Sequence, residues 1–171
     1  MQAYNLANGD MVLRADTANG VAGELIAVRT DLGRRVVAWR PVAPIPANPD
    51  HRFFCHGYAL DTYTRHGYTV TSGTDMTIVL SDEYNLIGGL DTNAAQNNDI
   101  VVFWGPTNRG RAIKHSAKLT GVIFNPGGGI DSSLTTTNSK TGTGALKISV
   151  SLDTVRNDYP TCDLIQIYRR G

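Results

Sequence analysis

Apolar positions along the chain follow two periods, and the switches between them mark its elements. In residues 1–50, short β-prone runs at Met11–Leu13, Leu25–Val28 and Arg35–Trp39 are separated by Asn8-Gly9-Asp10, Asn19-Gly20 and Asp31-Leu32-Gly33. Strands joined by tight turns have this pattern. Pro41, Pro44, Pro46 and Pro49 follow. Each lacks a backbone donor and has a fixed φ, so this stretch is expected to be an extended connection, neither helix nor central strand.

Phe54, Tyr58, Ala59 and Tyr63 then recur at helical spacing, which predicts a short helix starting at or near Cys55. A second helix is expected from about Asp75 to Tyr84, with Thr74 or Asp75 as N-cap and Gly88-Gly89 beyond its end. Met76, Ile78, Val79 and Leu80 would also suit a strand. From Asp99 the pattern becomes sheet-like. Ile100–Trp104 is an apolar β-prone run ending at Gly105-Pro106, and Ile113–Ile123 resumes after a turn at Asn108–Arg111, together a hairpin. Pro126 to Gly129 reads as a loop, Leu146–Val150 as a half-buried strand, Ser151–Val155 as a helical turn and Leu164–Tyr168 as a last strand. The fold class is therefore α+β.

Hydrophobic residues are 41% and charged residues 18% of the 171, a globular composition with a largely uncharged polar surface. That length suits one domain around one core, so residues 1–171 are read as a single domain. A net charge of +1, with the basic residues dispersed, offers no footprint for a phosphate backbone, and no nucleic-acid partner is expected. Met1–Asp10 lacks the basic-then-apolar order of a cleavable signal, and no apolar run reaches the ~18 residues of a membrane span. A soluble chain made in the cytoplasm, with no membrane partner, is expected; export by a machine that reads no cleavable signal stays open. Cys55 and Cys162 have neither zinc-type nor CxxC spacing. Their contexts, a helix start and the lead-in to a strand, argue against a disulfide between them.

A thiol attacks a carbonyl as its thiolate, and an ordinary cysteine pKa of about 8.5 leaves most of it protonated at neutral pH. A helix start supplies unpaired N–H groups and partial positive charge, which favour the anion, and an imidazole can take the proton. Cys55 at a helix start meets the first need, so it is the candidate nucleophile. Among the histidines, His56 would point about 100° round the helix from its neighbour, so it is assigned to packing or to lining the cleft. His51 and His66 fall in irregular segments and read as surface residues. His115, at the start of a strand and followed by small Ser116 and Ala117, is the candidate general base.

The ordered set Cys55-His56-Gly57-Tyr58-Ala59, Asn98-Asp99-Ile100-Val101-Val102-Phe103 and His115-Ser116-Ala117 resembles the papain-like superfamily of NlpC and CHAP-type cysteine amidases and peptidases. The resemblance runs over roughly residues 50–170, with Asn98 where the family usually has glycine. It implies a nucleophile-bearing helix packed on an antiparallel β-sheet, with residues 1–50 a β-rich lead-in and 51–171 the catalytic core. By resemblance Cys55 is the nucleophile and His115 the base. The segment from Asn138-Ser139-Lys140 to Gly144 looks like the family's next strand and turn, which carries the residue that orients the histidine. Asn138 is the preferred candidate for that role, with Asp131 and Thr137 behind it. The backbone N–H of Cys55 is expected in the oxyanion hole, with Tyr58 or an upstream polar residue as a second donor.

Plainer readings stand beside these. Cys55 could be a small buried hydrophobe and His115 a satisfied core residue; Cys162 is read as structural, Asp99 as a turn residue, and Trp104 and Tyr68 as core. The resemblance implies hydrolysis of an amide in peptidoglycan stem peptides through a thioester. It also points to a type VI secretion amidase effector acting in the periplasm, with a cognate immunity protein as partner, or to a phage lysis enzyme. A monomer is expected, without metal or organic cofactor, because covalent thiol catalysis needs neither. Two alternatives remain open: a papain-like acyltransferase or deamidase acting on protein side chains, and a non-enzymatic β-rich binding module.

Overall fold

The computed structural model describes residues 2–3, 12–142 and 144–171; the turn expected at Asn8-Gly9-Asp10, and Met11, lie outside them. Contacts divide the α+β chain into two compact units, Met1–Glu83 with Lys140–Ala145, and Tyr84–Ser139 with Leu146–Gly171. The division falls at neither end of the expected lead-in.

In the first unit, β1 (Gln2–Ala3) and β2 (Val12–Ala15) both pair with β3 (Gly23–Arg29), which pairs antiparallel with β4 (Arg35–Pro41), and β4 with β5 (Thr69–Val70). The Asp31-Leu32-Gly33 turn closes the β3–β4 hairpin through Gly33, whose φ of +85° a side chain would strain. A 3-10 turn, Pro49–Arg52, leads into α1 (Cys55–Ala59), then α2 (Thr62–His66) and α3 (Gly73–Glu83). In α3 the buried residues are Met76, Val79, Leu80 and Glu83, the three-and-four spacing of one helix face. This spacing overrides the strand alternative. The N-terminal side-chain bond of α3 comes from Ser72, whose Oγ accepts from Asp75 N at 3.0 Å, rather than from Thr74 or Asp75. Neither α2 nor β5 was evident in the sequence.

The second unit holds β6 (Tyr84–Gly88), β7 (Ile100–Thr107), β8 (Gly110–Gly121), β9 (Thr136–Lys140, whose last residue belongs to the first unit), β10 (Leu146–Ser151), α4 (Leu152–Asp158) and β11 (Leu164–Arg170). Its sheet runs β10-β9-β8-β7-β11-β6. The expected hairpin is β7–β8, but β7 continues through Pro106. Pairing with β11 stops at Trp104, so beyond it the missing proline donor faces no neighbour on that side. Val101, Phe103, Ala117, Leu119 and Ile167 form one buried face, against which Leu152 and Val155 of α4 pack. Ser151 caps α4, its Oγ accepting from Thr154 N at 3.1 Å.

Asn98 adopts φ +74°, in the left-handed region that asparagine tolerates better than most residues. Asp99, read as a turn residue, also anchors the sheet. It is 3% exposed, accepts from Gln96 N at 2.8 Å and takes two bonds of 2.7 Å from Arg169. Tyr68 is buried, as expected, and Trp104 half-buried.

Candidate active site

In the first unit, Cys55 is the first residue of α1, and aromatic packing on both sides holds it there. Phe54, the N-cap, meets Trp39 edge-on at 5.1 Å. Phe53 stacks on Tyr63 at 4.8 Å and on Tyr58 at 6.3 Å. Thr69 Oγ1 of β5 accepts from Phe54 N at 3.3 Å, and α1 approaches that threonine so closely that a Cβ on Gly57 would lie 2.1 Å from its Oγ1. Glycine at this position therefore sets the distance between helix and strand. Cys55 is half-buried, and its Sγ lies 3.6 Å from Nδ1 of buried His56. His56, assigned to packing or to lining the cleft, thus lies beside the sulfur. His51 and His66 are exposed, as expected.

His115 stands on β8 in the second unit, fully buried. Its ring stacks on Tyr159 at 4.1 Å and 13°, with Phe103, its partner across the β7–β8 ladder, at 5.6 Å. Nε2 lies 2.8 Å from Ser139 Oγ of β9. Nδ1 is buried and has no hydrogen-bond partner among the described residues. The plain reading of His115 as a satisfied core residue therefore fails for one of its two nitrogens. Among the described residues three other side-chain atoms share this condition, in Thr62, Tyr68 and Trp104, but of these groups only the imidazole offers a basic nitrogen.

Ser139, and not the expected Asn138, lies within hydrogen-bond distance of the His115 ring. Strand alternation decides this: Ser139 pairs with Ala117 and Asn138 with Lys118, so Ser139 shares the face of His115 and Asn138 points to the other. Asn138 Oδ1 instead accepts from Ser149 N at 3.0 Å. Thr137 Oγ1 donates to Val150 O at 3.2 Å. Asp131 caps its own loop, accepting from Ser133 and Leu134. The bond from Ser133 chiefly holds the Asp131 carboxyl below its ordinary range. The two-residue period along β9 would have favoured Ser139 once the strand was placed.

The structure thus brings His115 together with Ser139, and Cys55 with His56. Cys55 belongs to the first unit, and His115 and Ser139 to the second. Neither cysteine is in a disulfide. Burial raises the Cys162 thiol, against the opposing charge of Lys114. A surface hollow of about 420 Å³ in the second unit, lined by Leu90, Arg156, Cys162 and Ile165 among others, includes neither His115 nor Ser139. Among the described residues no three or more His, Cys, Asp or Glu side chains gather as a metal-binding group, and no helix is long and apolar enough to cross a membrane.

Comparison with family models, with curated proteins and with solved structures finds no match to this chain.

Proposed function

We propose that the chain is a cysteine hydrolase of papain-like, NlpC/CHAP-type architecture. Cys55 is the nucleophile, His115 the general base and Ser139 the residue that orients it. The observation that supports this most is the buried imidazole held at Nε2 by Ser139 and left without a hydrogen-bond partner at Nδ1. An orphaned polar atom in a core costs stability, on the order of 1–3 kcal/mol, and such a cost is often tolerated where the atom has work to do. A base needs one bare nitrogen and one fixed nitrogen. Nε2–H donating to Ser139 leaves the lone pair on Nδ1.

Catalysis in this form requires Cys55 Sγ to reach that lone pair. Nδ1 then takes the thiol proton while sulfur attacks the amide carbonyl, and the oxyanion is held by backbone N–H groups, that of Cys55 among them. The tetrahedral adduct collapses to a thioester as the amine leaves with the proton from His115. Water, deprotonated by His115, attacks the thioester and releases the carboxylate and the thiol. Stem peptides of peptidoglycan are the proposed substrate. That choice, like delivery by a specialised secretion system and a cognate immunity protein, follows from the resemblance of the Cys55, Ile100–Phe103 and His115 segments.

His56 is the rival base, because its Nδ1 lies 3.6 Å from the sulfur. Release of muropeptide fragments from purified sacculi separates the assignments. Cys55→Ala and His115→Ala should each lower release by about a thousandfold or more, while His56→Ala retains most of it. A fully active Cys55→Ala protein ends the hydrolase reading, and loss confined to His56→Ala moves the base.

A further inference from the structure

Lys140, the last residue of β9, is a buried cation with few acceptors among the described residues. The residue is 0% exposed. Its Nζ donates to Gly142 O at 2.9 Å and lies 4.7 Å from the centre of the Phe53 ring. One carbonyl and one ring face do not replace the hydration of an ammonium, so an anion nearby is the usual compensation. The acidic groups whose charges act on Lys140 are Asp50, in the 3-10 turn, and Cys55. The ring beneath the ammonium is two residues from the sulfur, and all these groups lie in the first unit. Burial is the largest influence on Lys140 and lowers it to about 8, while Asp50 and Cys55 pull the other way.

The helix start alone is a weak source of positive charge for the sulfur. α1 has five residues, and short helices align few peptide dipoles. A cation on a neighbouring segment supplies what the helix lacks. We propose that Lys140 is a positioning residue for the Cys55 nucleophile, an ammonium that favours the thiolate from within the first unit, independently of the base. This builds on the assignment of Cys55 as nucleophile.

Two measurements on the full chain test the proposal, and neither needs a substrate. The first follows Lys140 by carbon NMR of the lysine ε position through a pH titration, with Cys55 present and in Cys55→Ser, whose hydroxyl stays neutral. Coupling to the thiolate raises the Lys140 midpoint, so the midpoint should fall in Cys55→Ser; an unchanged midpoint overturns the proposal. The second is the rate of Cys55 alkylation by iodoacetamide at neutral pH, read by peptide mass to separate it from Cys162. Lys140→Met should slow it on the order of tenfold, and Lys140→Arg, which keeps the charge, should restore most of the rate. Equal slowing in both variants with native circular dichroism assigns Lys140 to packing and overturns the proposal, as does no slowing in either. If Lys140→Met fails to fold, the NMR titration decides. An inactive protein on sacculi that still passes both measurements would sink the peptidoglycan substrate and leave the coupling of Lys140 to Cys55 standing.

Discussion

Ser139→Ala isolates the bond on which the proposed base depends. The change deletes one oxygen, 2.8 Å from His115 Nε2, and leaves a methyl that fits the same space. His115 is fully buried and its Nδ1 already has no hydrogen-bond partner among the described residues, so the variant strands a second polar atom of the same ring. Stranding a buried donor costs about 1–3 kcal/mol. In a chain of this size that lowers Tm by roughly 2–4 °C per kcal/mol. Turnover should fall as well, because an imidazole freed from its acceptor can populate the tautomer that places hydrogen on Nδ1, where the thiol proton has to go. About 2 kcal/mol of lost orientation corresponds to roughly thirtyfold in kcat. Thermal unfolding gives the first number, kinetics on a stem-peptide amide the second, and ¹⁵N NMR of the imidazole reports the tautomer. Asn138→Ala is the control: its side chain bonds Ser149 N on the other face of β9, so it should lose stability and keep its kcat. Unchanged Tm, kcat and tautomer in Ser139→Ala would refute the orienting role.

Gly57→Ala should displace Thr69 and with it the start of α1, since the new Cβ would lie 2.1 Å from Thr69 Oγ1. The expected overpacking cost is ~1–3 kcal/mol, with slower Cys55 alkylation; unchanged values for both would mean that the approach of helix to strand is soft. Asp82 contributes an acid-sensitive interaction to the first unit. Its carboxyl is held below the ordinary 3.8, chiefly by hydrogen bonds from Arg34 and further by Thr30, against burial. A lowered folded pKa contributes stability that is present above the ordinary carboxylate range and lost as pH falls through the folded value. Asp82→Asn should therefore melt below the parent chain at about pH 6, and the gap should close as the pH falls through the folded value. A gap of constant size would rule out this titration as its source.

How far the sequence could be read depended on whether each signal is local. The β3–β4 hairpin, the start of α1 at Cys55, the β7–β8 hairpin and the helical turn after Ser151 are all written in neighbouring residues. The two-residue β5 and the five-residue α2 are too short to carry a period, and pairing and packing with β4 and α1 hold them in place. Ser139 was missed for a different reason. Choosing it over Asn138 requires the β8–β9 register, a long-range pairing that propensity does not encode, and a register error of one residue reverses the face. Lys140 escaped notice because a lysine ordinarily reads as surface, and only the fold reveals its burial against Phe53.

The most direct test of the nucleophile–base pair is a covalent ruler. 1,3-Dibromoacetone alkylates a reactive thiolate and then closes a three-carbon bridge to the nearest nucleophilic nitrogen, and tandem mass spectrometry reads which residue has been joined. A bridge from residue 55 to residue 115 is the predicted product. A bridge from residue 55 to residue 56, or a sulfur that reacts no faster than that of residue 162, would contradict it.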